Sequence, residues 1–138
     1  MKKKHREKSR LLIVSNLEVL VLRKNTEKKA YGLIGGFSKK GETPESCLIR
    51  ETFEEVGVCL NYHDFEYIST FCNASNNKPV LTRHYFLLKD IRKTFLLREP
   101  HKFSGIEWVN WMEACQYLGA SDKNALERFF FTQRGIAN

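Results

Sequence analysis

The sequence predicts an α/β domain in which a mixed β-sheet lies between helices, an α/β/α sandwich. Several short runs of apolar residues have the length and alternation of strands. A capped acidic helix follows a glycine-rich turn, and an amphipathic helix lies near the end of the chain. With 138 residues, of which 42% are hydrophobic, the chain can bury one core. We therefore expect a single domain.

The strands are predicted on both sides of the acidic helix. Residues 11–15 and 19–24 form two strands around a turn at Asn16 and Leu17, and the apolar pair Leu33 and Ile34 leads into the glycine turn. After the helix, further strands are predicted over residues 65–73, 80–89, 95–98 and 106–110.

The helices are predicted from capping residues and apolar spacing. Thr43 is suited to be the N-cap of the acidic helix, Pro44 suits its first position, and Gly57 supplies a C-terminal stop, so the helix spans residues 44–56. A second helix is predicted over residues 111–118. A final helix is predicted with Ser121 as its N-cap, and its apolar side consists of Ala125, Leu126, Phe129 and Phe130.

The acidic helix has two faces when its residues are rotated by about 100° each. The face that we expect to pack on the sheet consists of Ile49, Thr52, Phe53 and Val56. The face that we expect to point into a cleft consists of Arg50, Glu51, Glu54 and Glu55.

The clustered glutamates predict a cation site. Like charges at helical spacing repel one another, and Arg50 is one turn from Glu54, so it can pair with that carboxylate. Clustered carboxylates favour Mg²⁺ or Mn²⁺, and Mg²⁺ in proteins is commonly shared with substrate phosphates. The alternative is a solvated acidic face with no ligand.

Residues 36–58 resemble the Nudix box, the signature of the MutT-like Nudix hydrolases. The family pattern is G-x5-E-x7-R-E-U-x-E-E-x-G-U, where U is aliphatic. Positions that fit it are Gly36, Glu42, Arg50, Glu51, Glu54, Glu55, Gly57 and Val58. Thr52 departs from it at the first U. The resemblance implies the Nudix fold, which is the predicted sandwich.

The resemblance also implies a role for each matching residue. Glu54 and Glu55 are the principal Mg²⁺ ligands, with Mn²⁺ as a substitute ion, and Glu51 is a further ligand or orients the attacking water. The carbonyl of Gly36 contributes to the metal shell. The residues implied to support the site are Arg50, Glu42, Gly41 and Gly57.

A second stretch resembles the E-P-x-K…W-x-W segment of Nudix enzymes that cleave nucleoside triphosphates. It begins at Glu99 and ends at Trp111, and it implies that Glu99 adds a carboxylate near the metals. The alternative for Glu99 is a surface turn. Aromatic residues suit a nucleotide base, and we take Tyr85 and Trp108 as substrate-binding candidates, with core packing as the alternative.

The implied function is Mg²⁺-dependent cleavage of a nucleoside triphosphate, including modified or oxidised forms, to monophosphate and pyrophosphate by water attack at phosphorus. One alternative is hydrolysis at the 5′ end of RNA. Another is a Nudix-fold nucleotide-binding regulator without turnover. The box is not followed by the sequence markers of enzymes that cleave nicotinamide dinucleotides or ADP-ribose.

The charge distribution predicts a flexible basic tail over residues 1–10, followed by the domain over residues 11–138. The chain has a net charge of +7, and its first ten residues contain six basic residues and one acidic residue. Such a tail suits weak contact with nucleic acid. The dispersed cysteines suit a cytoplasmic protein, no segment predicts a membrane span, and the family resemblance leaves a homodimer open.

Overall fold

The computed structural model describes residues 5–73 and 80–133. Its strands are β1 (His5–Leu12), β2 (Val14–Ser15), β3 (Glu18–Lys24), β4 (Tyr31–Gly32), β5 (Ile34–Phe37), β6 (Phe65–Asn73), β7 (Val80–Leu88) and β8 (Phe103–Asn110). Its helices are α1 (Pro44–Val56), α2 (Trp111–Cys115) and α3 (Ala120–Arg128), and a π-helical turn, Phe129–Gln133, continues α3. No helix in the described part has the length and apolar character needed to cross a membrane.

The strands form two sheets. The first has the order β5-β1-β7-β6, in which β1 and β7 are parallel and the other pairs are antiparallel. The second has the order β2-β3-β4, with β8 paired to β3. Helix α1 and helix α3 belong to different hydrophobic clusters, which contain Leu48 and Leu126 respectively. The predicted mixed sheet between helices is therefore confirmed.

Strand β1 separates the two layers of helices. The hydroxyl of Ser9 donates a hydrogen bond to the carbonyl of Pro44 in α1 (2.8 Å). The next side chain, Arg10, lies 3.8 Å from Asp122 in α3. Because successive side chains of a strand point to opposite faces, α1 and α3 lie on opposite faces of the first sheet.

The prediction of a flexible tail over residues 1–10 is wrong for residues 5–10. These residues belong to β1, which lies between β5 and β7 and pairs with both. They contain no aliphatic side chain, so apolar alternation could not reveal the strand, whereas backbone pairing on two sides specifies it. Residues 1–4, and residues 134–138 at the end of the predicted domain, lie outside the described residues.

The bounds of α1 are confirmed, but its predicted buried face is partly wrong. Thr43 accepts a hydrogen bond from the backbone of Ser46, and Gly57 has a φ of 71°. Phe53, however, is 42% exposed. Its ring lies under the guanidinium of Arg98, 4.4 Å from the centroid. The buried face consists of Cys47, Leu48, Thr52, Glu55 and Val56.

Three other elements differ from the prediction. Residues 95–98 form no strand; they bind the C-terminal turn of α1 through backbone hydrogen bonds. Helix α2 ends at Cys115, earlier than predicted. The N-cap of α3 is Gly119 rather than Ser121, and no side chain caps this helix. The predicted apolar side of the last helix is confirmed, because all four of its residues are buried.

We expect that deletion of residues 1–10 abolishes folding, because it removes a strand paired on both sides. The measurement is thermal unfolding followed by circular dichroism. Deletion of residues 1–4 is the control, since it leaves β1 intact. A sharp melting transition in the protein that lacks residues 1–10 would contradict the role of β1.

We expect Leu48→Ala to lower the free energy of unfolding by about 2–5 kcal/mol, because Leu48 is fully buried. Phe53→Ala should lower it by roughly 1–2 kcal/mol, the scale of partial burial plus one cation–π contact. Urea denaturation of both variants measures the difference. Equal losses would mean that Phe53 belongs to the core after all.

Candidate active site

Arg50 is the centre of the acidic face of α1. Its Nε and Nη2 donate to the two carboxylate oxygens of Glu42, at 2.7 and 2.9 Å. Its Nη1 lies 3.0 Å from Glu51 Oε1 and 3.3 Å from Glu54 Oε2. Its Nη2 also donates to the carbonyl of Phe37 (3.0 Å). One guanidinium therefore holds three carboxylates and fixes the helix against the turn that precedes it.

The pairing with Arg50 changes the acidity of Glu42. Hydrogen bonds from Arg50 lower the pKa of this carboxyl to about 2, and a hydrogen bond from the backbone of Lys39 acts in the same direction. The same contact raises the pKa of Arg50. Glu42 is therefore charged at neutral pH, and its role is to hold Arg50.

The glycine turn lies against the acidic face and excludes side chains. A Cβ on Gly36 would lie 2.5 Å from the Cδ of Glu51. A Cβ on Gly35, whose φ is 136°, would lie 1.9 Å from the carbonyl oxygen of Ser9. Both positions need glycine because the helix and β1 approach the turn so closely.

Glu55 is buried beneath the turn rather than in an open cleft. It is 4% exposed, and its Oε1 accepts a hydrogen bond from the backbone N–H of Gly35 (2.8 Å). Burial raises its pKa to about 8; the Gly35 hydrogen bond opposes this, and the charges of Glu51 and Glu99 add to it. A cation beside Glu55 would stabilise its charged form.

Glu99 is brought to the acidic face by the segment before it. The backbone N–H groups of Leu96 and Arg98 donate to the carbonyls of Val56 and Glu55, each at 2.9 Å. These carbonyls belong to the last turn of α1, where a helix has no partner of its own for them. Glu99 Oε2 lies 3.3 Å from the Nζ of Lys102, whereas its Oε1 is buried without a hydrogen-bond partner.

These observations fit a divalent cation. Glu55 is buried, and Glu99 keeps one oxygen without a hydrogen-bond partner although its other oxygen faces Lys102. A hard cation takes such carboxylate oxygens. In the described part of the chain, no three acidic, histidine or cysteine side chains converge as a ready-made cage, because Glu51 and Glu54 are turned towards Arg50. The carbonyl of Gly36 accepts a hydrogen bond from the thiol of Cys47 (3.3 Å).

A basic pocket lies on the opposite face of the first sheet. Its volume is about 290 Å³. It is lined by Lys8, Arg10, Lys24, Arg83 and residues 119–122. The sequence interpretation missed it because it assigned Lys8 and Arg10 to the tail. Their spacing of two residues was the available signal for one face of a strand.

A model of the family described as NUDIX domain matches residues 5–129. The chain belongs to the Nudix hydrolase family. The match begins at β1, which agrees with the correction of the domain start.

Several solved structures have the same fold. The ORF135 protein of E. coli is 21% identical, with a TM-score of 0.76 over 95% of this chain and 92% of that chain. A MutT Nudix hydrolase from Burkholderia pseudomallei is 21% identical, with a TM-score of 0.74 over 91% and 98%. An Ap4A hydrolase from C. elegans is 19% identical, with a TM-score of 0.68 over 94% and 98%. These structural similarities cover nearly the whole chain, so they concern the complete fold and not only the segment around the Nudix box.

The supporting positions of the Nudix box have distinct surroundings. Gly41 has a φ of 84°, and Gly57 has a φ of 71°, in the left-handed region that favours glycine. The Cδ of Arg98 lies 3.1 Å from where a Cβ on Gly57 would be.

Thr52, the residue that departs from the family pattern, is fully buried, and its hydroxyl has no hydrogen-bond partner. The departure at Thr52 thus keeps the packing but leaves one polar atom unsatisfied.

The two aromatic candidates for substrate binding differ in exposure. Tyr85 is fully buried, and its hydroxyl donates to Asp122 (2.8 Å), so its prediction as a base contact is wrong in this structure. Trp108 is 39% exposed and stays a prediction. Trp111, at the end of the second resembling stretch, stacks on Phe130 with ring centroids 4.9 Å apart.

We expect the pair of Glu42 and Arg50 to make stability depend on pH. The pKa of Glu42 is lowered from 4.5 to about 2 in the folded protein. Its contribution is therefore complete above the unfolded pKa and is lost as the pH falls from about 4.5 to about 2. Urea denaturation between pH 2.5 and 6 should show a steeper acid loss in wild type than in Glu42→Gln. Parallel curves would mean that this pair contributes nothing.

Proposed function

We propose that this Nudix hydrolase cleaves a nucleoside triphosphate to the monophosphate and pyrophosphate, with Mg²⁺ as its cofactor and Mn²⁺ as a substitute. The observation that carries the proposal is the unpaired, buried Oε1 of Glu99 beside the acidic face of α1. This carboxylate belongs to the segment that resembles nucleoside-triphosphate-cleaving Nudix enzymes, and it lies next to Glu55 in the fold.

The residues that would hold Mg²⁺ are Glu51, Glu54, Glu55 and Glu99, with the carbonyl of Gly36. When bound, such an ion polarises phosphoryl oxygens and acidifies water. Arg50 keeps Glu51 and Glu54 at one edge of the helix. The buried position of Glu55 fixes its carboxylate against the glycine turn.

The reaction is a substitution at phosphorus. The oxygen of water forms a bond to one of the two phosphorus atoms of the α–β anhydride, and the bridging P–O bond breaks. The bridging oxygen stays with the other phosphate, and a proton of the water is released to a base. We assign Glu51 to orienting this water, since it lies against Gly36 and is held by Arg50.

Three alternatives remain: two concern the substrate and one concerns turnover. Hydrolysis at the 5′ end of RNA was predicted from a basic tail, yet Lys8 and Arg10 belong to β1 and line the basic pocket. The C. elegans protein is named as an Ap4A hydrolase, so dinucleoside polyphosphates belong in the test. A regulator without turnover would bind nucleotide but release no phosphate or pyrophosphate.

The test is a hydrolysis panel with Mg²⁺. It contains common and oxidised nucleoside triphosphates, a dinucleoside tetraphosphate, ADP-ribose, a sugar nucleotide and triphosphorylated RNA, and it scores pyrophosphate and phosphate separately. Release of pyrophosphate from a free triphosphate supports the proposal and identifies the base. Activity on RNA alone, or binding of nucleotide without any hydrolysis, would replace it with the corresponding alternative.

We expect Glu54→Gln to reduce kcat by more than about tenfold, because loss of a metal contact removes several kcal/mol of transition-state stabilisation. The fold should persist, since this side chain is 43% exposed. The measurement is pyrophosphate release at saturating Mg²⁺ on the best substrate of the panel.

The matched control is Glu66→Gln, which removes the same charge from an exposed position on β6. It should keep the rate of wild type. If Glu54→Gln keeps that rate as well, Glu54 is not a metal ligand.

A further inference from the structure

The basic pocket holds more positive charge than its own carboxylate can balance. Within the described residues, Lys8, Lys24 and Arg83 have no carboxylate within 4.0 Å. The carboxylate of Asp122 is already engaged, since Oδ1 accepts from Tyr85 and Oδ2 lies 3.8 Å from Arg10 Nε. Three positively charged side chains therefore line one cavity together with Arg10, against the single carboxylate of Asp122.

The start of α3 adds to the positive character of the pocket. Residues 119–122 line the cavity, and no side chain caps the helix. The first backbone N–H groups of a helix have no partner within it, and its dipole favours negative charge there. In addition, the Nε of Arg10 is buried without a hydrogen-bond partner.

The positively charged side chains around Lys8 affect its pKa. Burial lowers its pKa to about 8; the charges of Arg10, Arg83 and Lys24 add to the effect, and Asp122 opposes it. The Nζ of Lys8 lies 4.6 Å from the ring centroid of Phe37. A bound anion would relieve the repulsion among these cations.

The pocket is separate from the acidic face but adjoins it. It lies on the side of β1 that faces α3, whereas the glutamates belong to α1 on the other side. Arg10 spans the two, because its Nη1 donates to the carbonyl of Gly35 (2.9 Å) while its Nε faces Asp122. A diphosphate held at the glutamates would therefore leave the pocket to another part of the same substrate.

We propose that this pocket binds a phosphate group carried on the sugar of the substrate, in addition to the 5′-triphosphate that is cleaved. This inference rests on the proposed function. A neutral base can accept hydrogen bonds from these side chains but carries no charge to balance them, whereas a phosphate supplies both acceptor oxygens and negative charge to guanidinium and ammonium groups. The phosphate is either a 3′-phosphate of a mononucleotide or the first internucleotide phosphate of a 5′-triphosphorylated RNA.

The experiment compares kcat/KM for matched substrates. The probes are adenosine and guanosine 5′-triphosphates, the same nucleotides with a 3′-phosphate, and 5′-triphosphorylated dinucleotides. We expect the wild-type protein to prefer a probe with the added phosphate by at least about tenfold, the scale of one hydrogen bond to a charged group. Preference for the 3′-phosphate identifies a mononucleotide, and preference for the dinucleotide alone identifies an RNA end.

Single substitutions in the basic pocket test whether this pocket causes the preference for the added phosphate. Arg83→Gln and, independently, Lys24→Gln should bring the ratio of kcat/KM between phosphorylated and plain probes towards one. Arg92→Gln is the matched control, since it removes the same charge from a side chain that is 87% exposed and paired with Asp90. Thermal melting establishes that each variant is folded.

Two results overturn the inference. One is hydrolysis of the plain triphosphates at least as efficient as that of the phosphorylated probes, which leaves the proposed function intact. The other is a wild-type preference that persists in both folded variants of Arg83 and Lys24. Failure to cleave any probe or any member of the hydrolysis panel would instead reject the proposed function, and the inference with it.

Discussion

The acidic face of α1 depends on one interaction, the contact of the Arg50 guanidinium with three carboxylates. Without it, the charges of Glu51 and Glu54 would repel each other on one side of a helix. Arg50 offsets that repulsion and also binds the carbonyl of Phe37 and the side chain of Glu42, which come from the segment before the helix. The helix and the turn are thereby one unit, and the glutamates stand beside the glycines whose missing side chains give them room.

Strand β1 connects the acidic face of α1 to the opposite face of the sheet. Its residues alternate between the face of α1, where Ser9 binds the start of the helix, and the face of α3, where Arg10 meets Asp122. Negative side chains thus gather on one side and positive side chains on the other. Arg10 connects the two groups, because its Nε faces Asp122 and its Nη1 donates to the carbonyl of Gly35, whose N–H binds Glu55.

The sequence predicted best where local chemistry decides the structure. Thr43, Pro44 and Gly57 bounded α1 correctly, and the pairing of Arg50 with Glu54 followed from helical spacing. The exposure of Phe53 could not be predicted in this way, since it depends on Arg98, which arrives from a distant segment.

Contacts between distant segments also explain why the sequence did not predict the start of β1 or the basic pocket. No local signal distinguishes a charged tail from a charged strand; pairing with β5 and β7 makes the difference.

Gly35 is the point at which both sites meet. Its N–H donates to Glu55 on the acidic side, and its carbonyl accepts from Arg10, which lines the basic pocket. One residue therefore orients a carboxylate of the proposed cation site and a cation of the proposed anion site. Its φ of 136° and the closeness of Ser9 exclude any side chain, so both hydrogen bonds depend on glycine at this position. The proposed substrate, with charge at both ends, would place its two charged groups on either side of this residue.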